Sequence, residues 1–151
     1  MVRASSQAGQ SKMRNVLVVK ENNGGLRAVS LEAATYSLGR DPTNSILLEA
    51  ERISRHHAIL MRVPEGKGYV YRIMDGNLVG EPSRNGITVN GEKVTSHDLQ
   101  DGDTIIFGGA IKAQYYHREM SDEDFSKYIQ SVALRSIRSE PVDTMSTIVD
   151  F

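Results

Sequence analysis

At 151 residues, the chain has the length of one domain with appended segments, because a single core usually serves about 100 to 200 residues. Hydrophobic residues make up 39% and charged residues 25%, the formal net charge is −1, and no apolar run approaches the roughly 18 residues that cross a bilayer. This balance excludes a transmembrane helix and argues against a broadly basic nucleic-acid face, and the lack of cysteine excludes disulfides, thiolate catalysis and thiolate metal sites.

The opening MVRASSQAGQSKMR has basic and small polar residues but no apolar stretch of the kind a secretory leader needs. Residues 1–14 are therefore expected to form a flexible tail, and the protein to be cytoplasmic. From Val16 to about Tyr116 the chain alternates short β-type runs (NVLVVK, AVSL, TYSLGR, SILL, HHAILMRV, GYVYRIM, GITVN, TIIFGG) with turn-rich segments such as NNGG, DPTN, PEGKG and DGNLVGEPSRNG. Many short strands at this spacing indicate an all-β, antiparallel sandwich over 15–117. MRVPEGKGYVYRI reads as a hairpin, and Asn90-Gly91 is the pair favoured in type I′ turns, which gives those two residues a structural role.

After His117 the pattern changes. Phe125, Ile129, Val132, Ala133 and Ile137 recur at helical spacing. Ser121 followed by Asp124 resembles a capping box, acidic residues stand at the start, Arg135 and Arg138 stand near the end, and Pro141 lies beyond. A helix is expected within 118–140, packed by its apolar stripe on the sandwich, with a flexible tail over 141–151.

Three polar groups fall between the strands: Gly39-Arg40, Ser54 to His57, and Ser83 to Gly86. Loops leaving one end of a sandwich can converge on one small ligand. The order GR, SRHHA, SRNG, VNG over about 100 residues resembles the forkhead-associated (FHA) domain, and DGNLVGEPSRNGITVNG is similar to the versions in cyanobacterial signalling proteins. The resemblance implies a sandwich of eleven strands that binds phosphothreonine peptides at its loop end, without catalysis or cofactor. It also implies an adaptor role whose partners are a phosphothreonine-containing protein and a Ser/Thr kinase.

The residue types suit that ligand on their own chemistry. A phosphothreonine carries roughly −1.5 to −2 charges and three acceptor oxygens, so its receptor needs donors and a fixed cation. Matched position by position, Arg40 and Ser54 fall on the family's phosphate contacts and Asn85 on the residue that holds the ligand's main chain. Arg55 falls on a position that often touches peptide or phosphate, and His57 on a structural histidine behind the loops. Gly39 and Gly86 permit tight turns. Arg84 stands where the family usually has Thr or Ser, adding a cation or crowding the pocket, and the loop from Asp75 to Ser83 is longer than the family's shortest form.

Arg52 corresponds to a position facing the third residue after the phosphothreonine in some members, where a guanidinium favours an acidic side chain. Thr147 is followed three residues later by Asp150. The chain's own tail, phosphorylated at Thr147, is thus a candidate ligand. The adjacent histidines invite a metal or catalytic reading, but in a strand over 56–61 they point to opposite faces. Two other readings stand beside phosphopeptide binding: a structural, oligomer-forming sandwich, and a phosphatase, which would need a nucleophile and an acid.

Overall fold

Strand β1 (Ser11–Lys20) contains Val16, Leu17, Val18 and Val19, four consecutive side chains with no exposed surface. A strand with one wet face alternates buried and exposed residues. This one does not, because both of its faces are covered: Leu17 and Val19 belong to the core between two sheets, whereas Val16 and Val18 lie under a helix with Tyr116, Tyr128 and Val132.

In the computed structural model, which describes residues 11–137, the remaining strands are β2 (Leu26–Ser30), β3 (Thr35–Gly39), β4 (Ile46–Leu47), β5 (Ala58–Glu65), β6 (Gly68–Asp75), β7 (Ile87–Val89), β8 (Glu92–Val94), β9 (Ser96–Asp98), β10 (Thr104–Phe107) and β11 (Ile111–Ser121). One sheet runs β2-β1-β11-β10-β7-β8 and the other β4-β3-β5-β6-β9. The core between them holds Leu38, Leu60, Tyr71, Ile73, Ile105 and Phe107, all fully buried. The fold is the expected sandwich of eleven strands with a C-terminal helix, with one departure from a purely antiparallel plan. The edge strand β4 pairs parallel with β3, Leu38 opposite Ile46, because the chain turns back around Asp41–Asn44 to bury Ile46 and Leu48. Asn90 (φ 52°) and Gly91 (φ 88°) both take positive φ between β7 and β8, as a type I′ turn requires.

Helix α1 (Asp122–Ile137) lies on the outer face of the six-stranded sheet, with Phe125, Tyr128, Ile129 and Val132 inward. Ala133, expected in the stripe, is exposed, and Tyr128 takes the inward position instead. Two boundaries differ from the sequence expectation. Residues 11–14, expected in the tail, belong to β1 because they pair with Arg118–Ser121, which extends β11 past His117 and delays the helix to Asp122. Arg14 locks this corner: its guanidinium bonds to the Asp122 carboxylate at 2.5 Å and stacks 4.6 Å from the Phe125 ring. Residues 1–10 and 138–151, with the tails expected there, lie outside the described residues. Among the described residues no helix is long and apolar enough to cross a membrane.

The Ser121 hydroxyl accepts the Asp124 N–H at 3.0 Å and so satisfies one of the donors that a helix start leaves open. Ser121→Ala is expected to lower unfolding stability by about 1 kcal/mol, read from the urea midpoint. A midpoint equal to wild type would mean that the Arg14–Asp122 pair alone fixes the start.

Candidate functional site

The segments Gly39–Arg40, Glu51–His57 and Ser83–Gly86 meet at one end of the sandwich. The geometry begins with the packing of bare backbone. A Cβ on Gly39 would lie 2.2 Å from the Arg55 carbonyl oxygen and 2.9 Å from Asn44 Nδ2, so only glycine lets the end of β3 lie against the β4–β5 loop. Its role is close approach, whereas Gly86 (φ 75°) supplies the positive φ of a turn. The paired backbones exchange Arg40 N–H to Ser54 O at 3.0 Å and Asp41 N–H to Arg55 O at 3.2 Å. Asn44, buried, donates through its side chain to Arg55 O at 2.7 Å and Asp41 O at 2.8 Å.

His57 joins this unit to the next loop. Its Nδ1 accepts the Ser54 N–H at 2.9 Å, which fixes the tautomer, so Nε2–H donates to the Gly86 carbonyl at 2.9 Å. The ring has no exposed surface. Burial holds its pKa below 6.5, and the bond to Gly86 opposes that shift without reversing it. Gly86 O also accepts the Gly108 N–H at 2.8 Å, bringing in a fourth connection, the β10–β11 turn. A second brace comes from Asp75, whose carboxylate accepts the Ser83 hydroxyl and, at 3.2 Å, the Ser83 N–H. The Ser83 oxygen in turn accepts the Gly86 N–H at 2.8 Å.

Held by these contacts, Arg40, Arg52, Ser54, Arg55, Arg84 and Asn85 line one pocket of about 230 Å³ together with Glu51 and Ile53. All six residues expected at the binding end are therefore brought together. Arg40 Nε donates to Ile53 O at 2.9 Å, which aims the rest of the guanidinium, and Arg52 Nε is fixed in the same way on Gly108 O at 2.7 Å. The Ser54 hydroxyl accepts the Arg84 N–H at 2.9 Å and keeps its own proton to donate. Asn85 donates to Arg52 O at 2.9 Å and keeps a carbonyl oxygen and a second N–H. Arg55 pairs at 3.3 Å with Asp41, whose carboxyl is held at about 2, first by the Thr43 N–H and hydroxyl and then by the Arg55 charge.

Sequence reasoning missed Glu51, Asp75, the β10–β11 turn and Lys93. The Lys93 Nζ lies 3.5 Å from where a Gly86 Cβ would stand. The Asn90-Gly91 turn sets the register that pairs Lys93 with Thr88 beside this loop, so a stricter use of the hairpin would have found it. Asp75 carries no such signal. The histidines separate: His57 is buried, whereas His56 is exposed and touches Asn44 Oδ1 at 3.3 Å. His97 pairs with Asp103 at 3.0 Å. Among the described residues no three His, Asp or Glu side chains form a group that could hold a metal. Thr147 and Asp150 lie outside the described residues.

A family model described as FHA domain matches residues 36–108. The chain is 37% identical over 90 residues to the uncharacterized protein sll1895 of Synechocystis, a match spanning 59% of this chain and 13% of that much longer protein. Among solved structures, the Synechocystis Slr1951 protein superposes with a TM-score of 0.64 at 35% identity, covering 69% of this chain and 98% of that one. A structure described as a structural and functional analysis of phosphothreonine-dependent FHA domain interactions superposes with a TM-score of 0.55 at 26% identity, covering 68% and 95%.

The bridging imidazole has a pH signature. In the unfolded chain His57 titrates near its ordinary 6.5, and in the folded chain its pKa is lower. The unfolded state therefore takes up a proton that the folded state refuses, so the stability present above about 6.5 is lost as pH falls toward the folded value. The urea midpoint is expected to drop between about pH 7.5 and about pH 5.5, and His57→Asn to start lower and vary less across that range. A wild-type midpoint that rises on acidification would contradict a neutral bridging ring.

Proposed function

The chain belongs to the FHA domain family, and we propose that its loop rim is a receptor for phosphothreonine within a peptide segment, serving an adaptor role in Ser/Thr kinase-linked signalling. The observation that carries this reading is the convergence of Arg40, Ser54, Arg55, Arg84 and Asn85 on one pocket of about 230 Å³. Arg40 and Ser54 supply the phosphate with charge-assisted and hydroxyl donors, and Arg55 and Arg84 add cationic charge around it. Asn85, with one free acceptor and one free donor, suits a peptide group of the ligand and reads no side chain. Arg52, fixed on Gly108 O beside the same pocket, favours an acidic side chain near the phosphothreonine.

The same contacts support binding without turnover. Activating the Ser54 hydroxyl would need a base, but the neighbouring imidazole nitrogen already accepts the Ser54 backbone N–H. Asp41, held at about 2, is ionised at neutral pH and is a poor proton donor to a leaving group. Family membership and the phosphothreonine dependence described for a structural neighbour support the ligand class.

Arg40→Ala is expected to weaken binding of a phosphothreonine peptide by about 2 to 3 kcal/mol, roughly 30- to 150-fold, by calorimetry. Its circular dichroism should match wild type, since the side chain is exposed. Added salt should weaken wild-type binding, as anion–guanidinium attraction is screened. Equal affinities for the phosphorylated and unphosphorylated peptide would end this reading.

A further inference from the structure

A second concavity of about 240 Å³ adjoins the rim on the outer face of the five-stranded sheet. Its floor is Ala58 and Ile59. Ile59 points away from the core that takes Leu60, and it is nevertheless only 6% exposed. His56 and Ser37 form one wall, and the lip is Leu78 and Val79, which are 83% and 79% exposed. Two adjacent bare aliphatic side chains at a loop tip do nothing for the core.

The loop that presents them is built. Asn77 Oδ1 accepts the N–H groups of Val79 at 3.1 Å and Glu81 at 2.9 Å, Asn77 Nδ2 donates to the Glu81 carboxylate at 2.7 Å, and Asn77 N–H donates to Glu81 O at 3.0 Å. A Cβ on Gly76 would stand 2.3 Å from Glu81 O, so the turn closes only around glycine. Gly76 N–H donates to His57 O at 2.8 Å, and Ser83, further along the same loop, is braced by Asp75. The apolar lip and the Arg84-Asn85 end of the rim are thus two parts of one fixed loop. The two concavities are also neighbours along the β4–β5 loop: Arg55 lines the rim pocket and His56, the next residue, lines the apolar one, and Asn44 holds both Arg55 O and the ring of His56.

Resting on the phosphothreonine reading of the rim, we propose that this concavity is a second subsite that receives one aliphatic or aromatic side chain of the same phosphorylated protein. The volume, below the roughly 300 to 1,000 Å³ of small-molecule pockets, suits a single large apolar side chain better than a cofactor. Because Arg55 and His56 are consecutive, and the lip and Arg84-Asn85 belong to one braced loop, the two concavities lie within the span of one extended segment. The rim then supplies phosphate dependence, and the apolar subsite discriminates among phosphothreonine segments.

The test uses a phosphothreonine peptide library degenerate at the flanking positions, with the full chain, the double variant L78S/V79S and Arg40→Ala. Wild type is expected to enrich an aliphatic or aromatic residue at one flanking position. The double variant, altered only at exposed side chains, should lose that enrichment and bind the best wild-type peptide about tenfold more weakly, while still preferring it over its unphosphorylated form. Arg40→Ala should lose affinity for every library member. Unchanged enrichment and affinity in L78S/V79S, or no apolar preference in wild type, overturns the subsite. So does a dimer in sedimentation equilibrium that L78S/V79S dissolves without altering peptide selection, since the lip would then serve a second copy of the chain. If wild type binds no phosphothreonine peptide, the reading of the rim fails and the subsite falls with it, a result distinguishable because the phosphate preference itself is then absent.

Discussion

The two hydrogen bonds of one buried imidazole fix chain segments that lie 29 residues apart. His57 accepts from Ser54 N–H on one side and donates to Gly86 O on the other, an arrangement open only to the neutral ring. Protonation would set a donor against the Ser54 N–H and place a charge where no water reaches. Ser54 and Asn85 project from the two ends of this brace, so their separation is set from behind. The cost of ordering two loops is met at folding rather than when a ligand arrives, which is the physical content of preorganisation.

Crowding cations at such a rim would normally splay the loops apart. Here three of the four guanidinium groups are positioned by neutral or oppositely charged acceptors: Arg40 on Ile53 O, Arg52 on Gly108 O, and Arg55 on Asp41. The Arg55–Asp41 pair is exposed on the arginine side and contributes little to stability on its own. Its effect is to keep a charge in place that an incoming dianion can share. The formal net charge of −1 gives no hint of this cluster, because the opposite charges are dispersed elsewhere along the chain.

The fold was legible where chain chemistry is local. Short β-branched runs separated by glycine and asparagine turns marked most strands, and the Asn90-Gly91 hairpin and the Ser121 cap appear as read. What escaped depends on tertiary pairing. β8 and β9, with sequences EKV and SHD, carry little β-propensity and exist because a tight turn and β6 hold them. Residues 11–14 read as tail because SKMR is polar, and they become strand only through the extension of β11. At the rim the motif residues were legible from their order and identity, whereas Asp75 acts through its carboxylate on Ser83 and Gly108 through its backbone groups, and neither leaves a pattern in the sequence. Gly39, expected to permit a turn, instead meets the Arg55 carbonyl, which leaves no room for a Cβ.

The layering also accounts for the place of the proposed binding rim at the end of the sandwich. One outer face is covered by α1, whose Tyr128 and Val132 bury the Val16–Val18 side of β1. Within each sheet the backbone groups of the inner strands are taken up by their neighbours, whereas the connections, where the chain leaves the ladder, keep donors for a ligand. At this end the connections are tied to one another rather than left loose, and their reactive groups are already engaged: His57 by two backbone groups, Asp41 by Thr43 and Arg55, Ser54 Oγ by Arg84 N–H. One set of contacts thus fixes the loops and engages these groups. The hydrogen bonds that hold donors in place for a phosphate also occupy the imidazole and the carboxylate that could have moved a proton to or from it, which favours holding the dianion over transforming it.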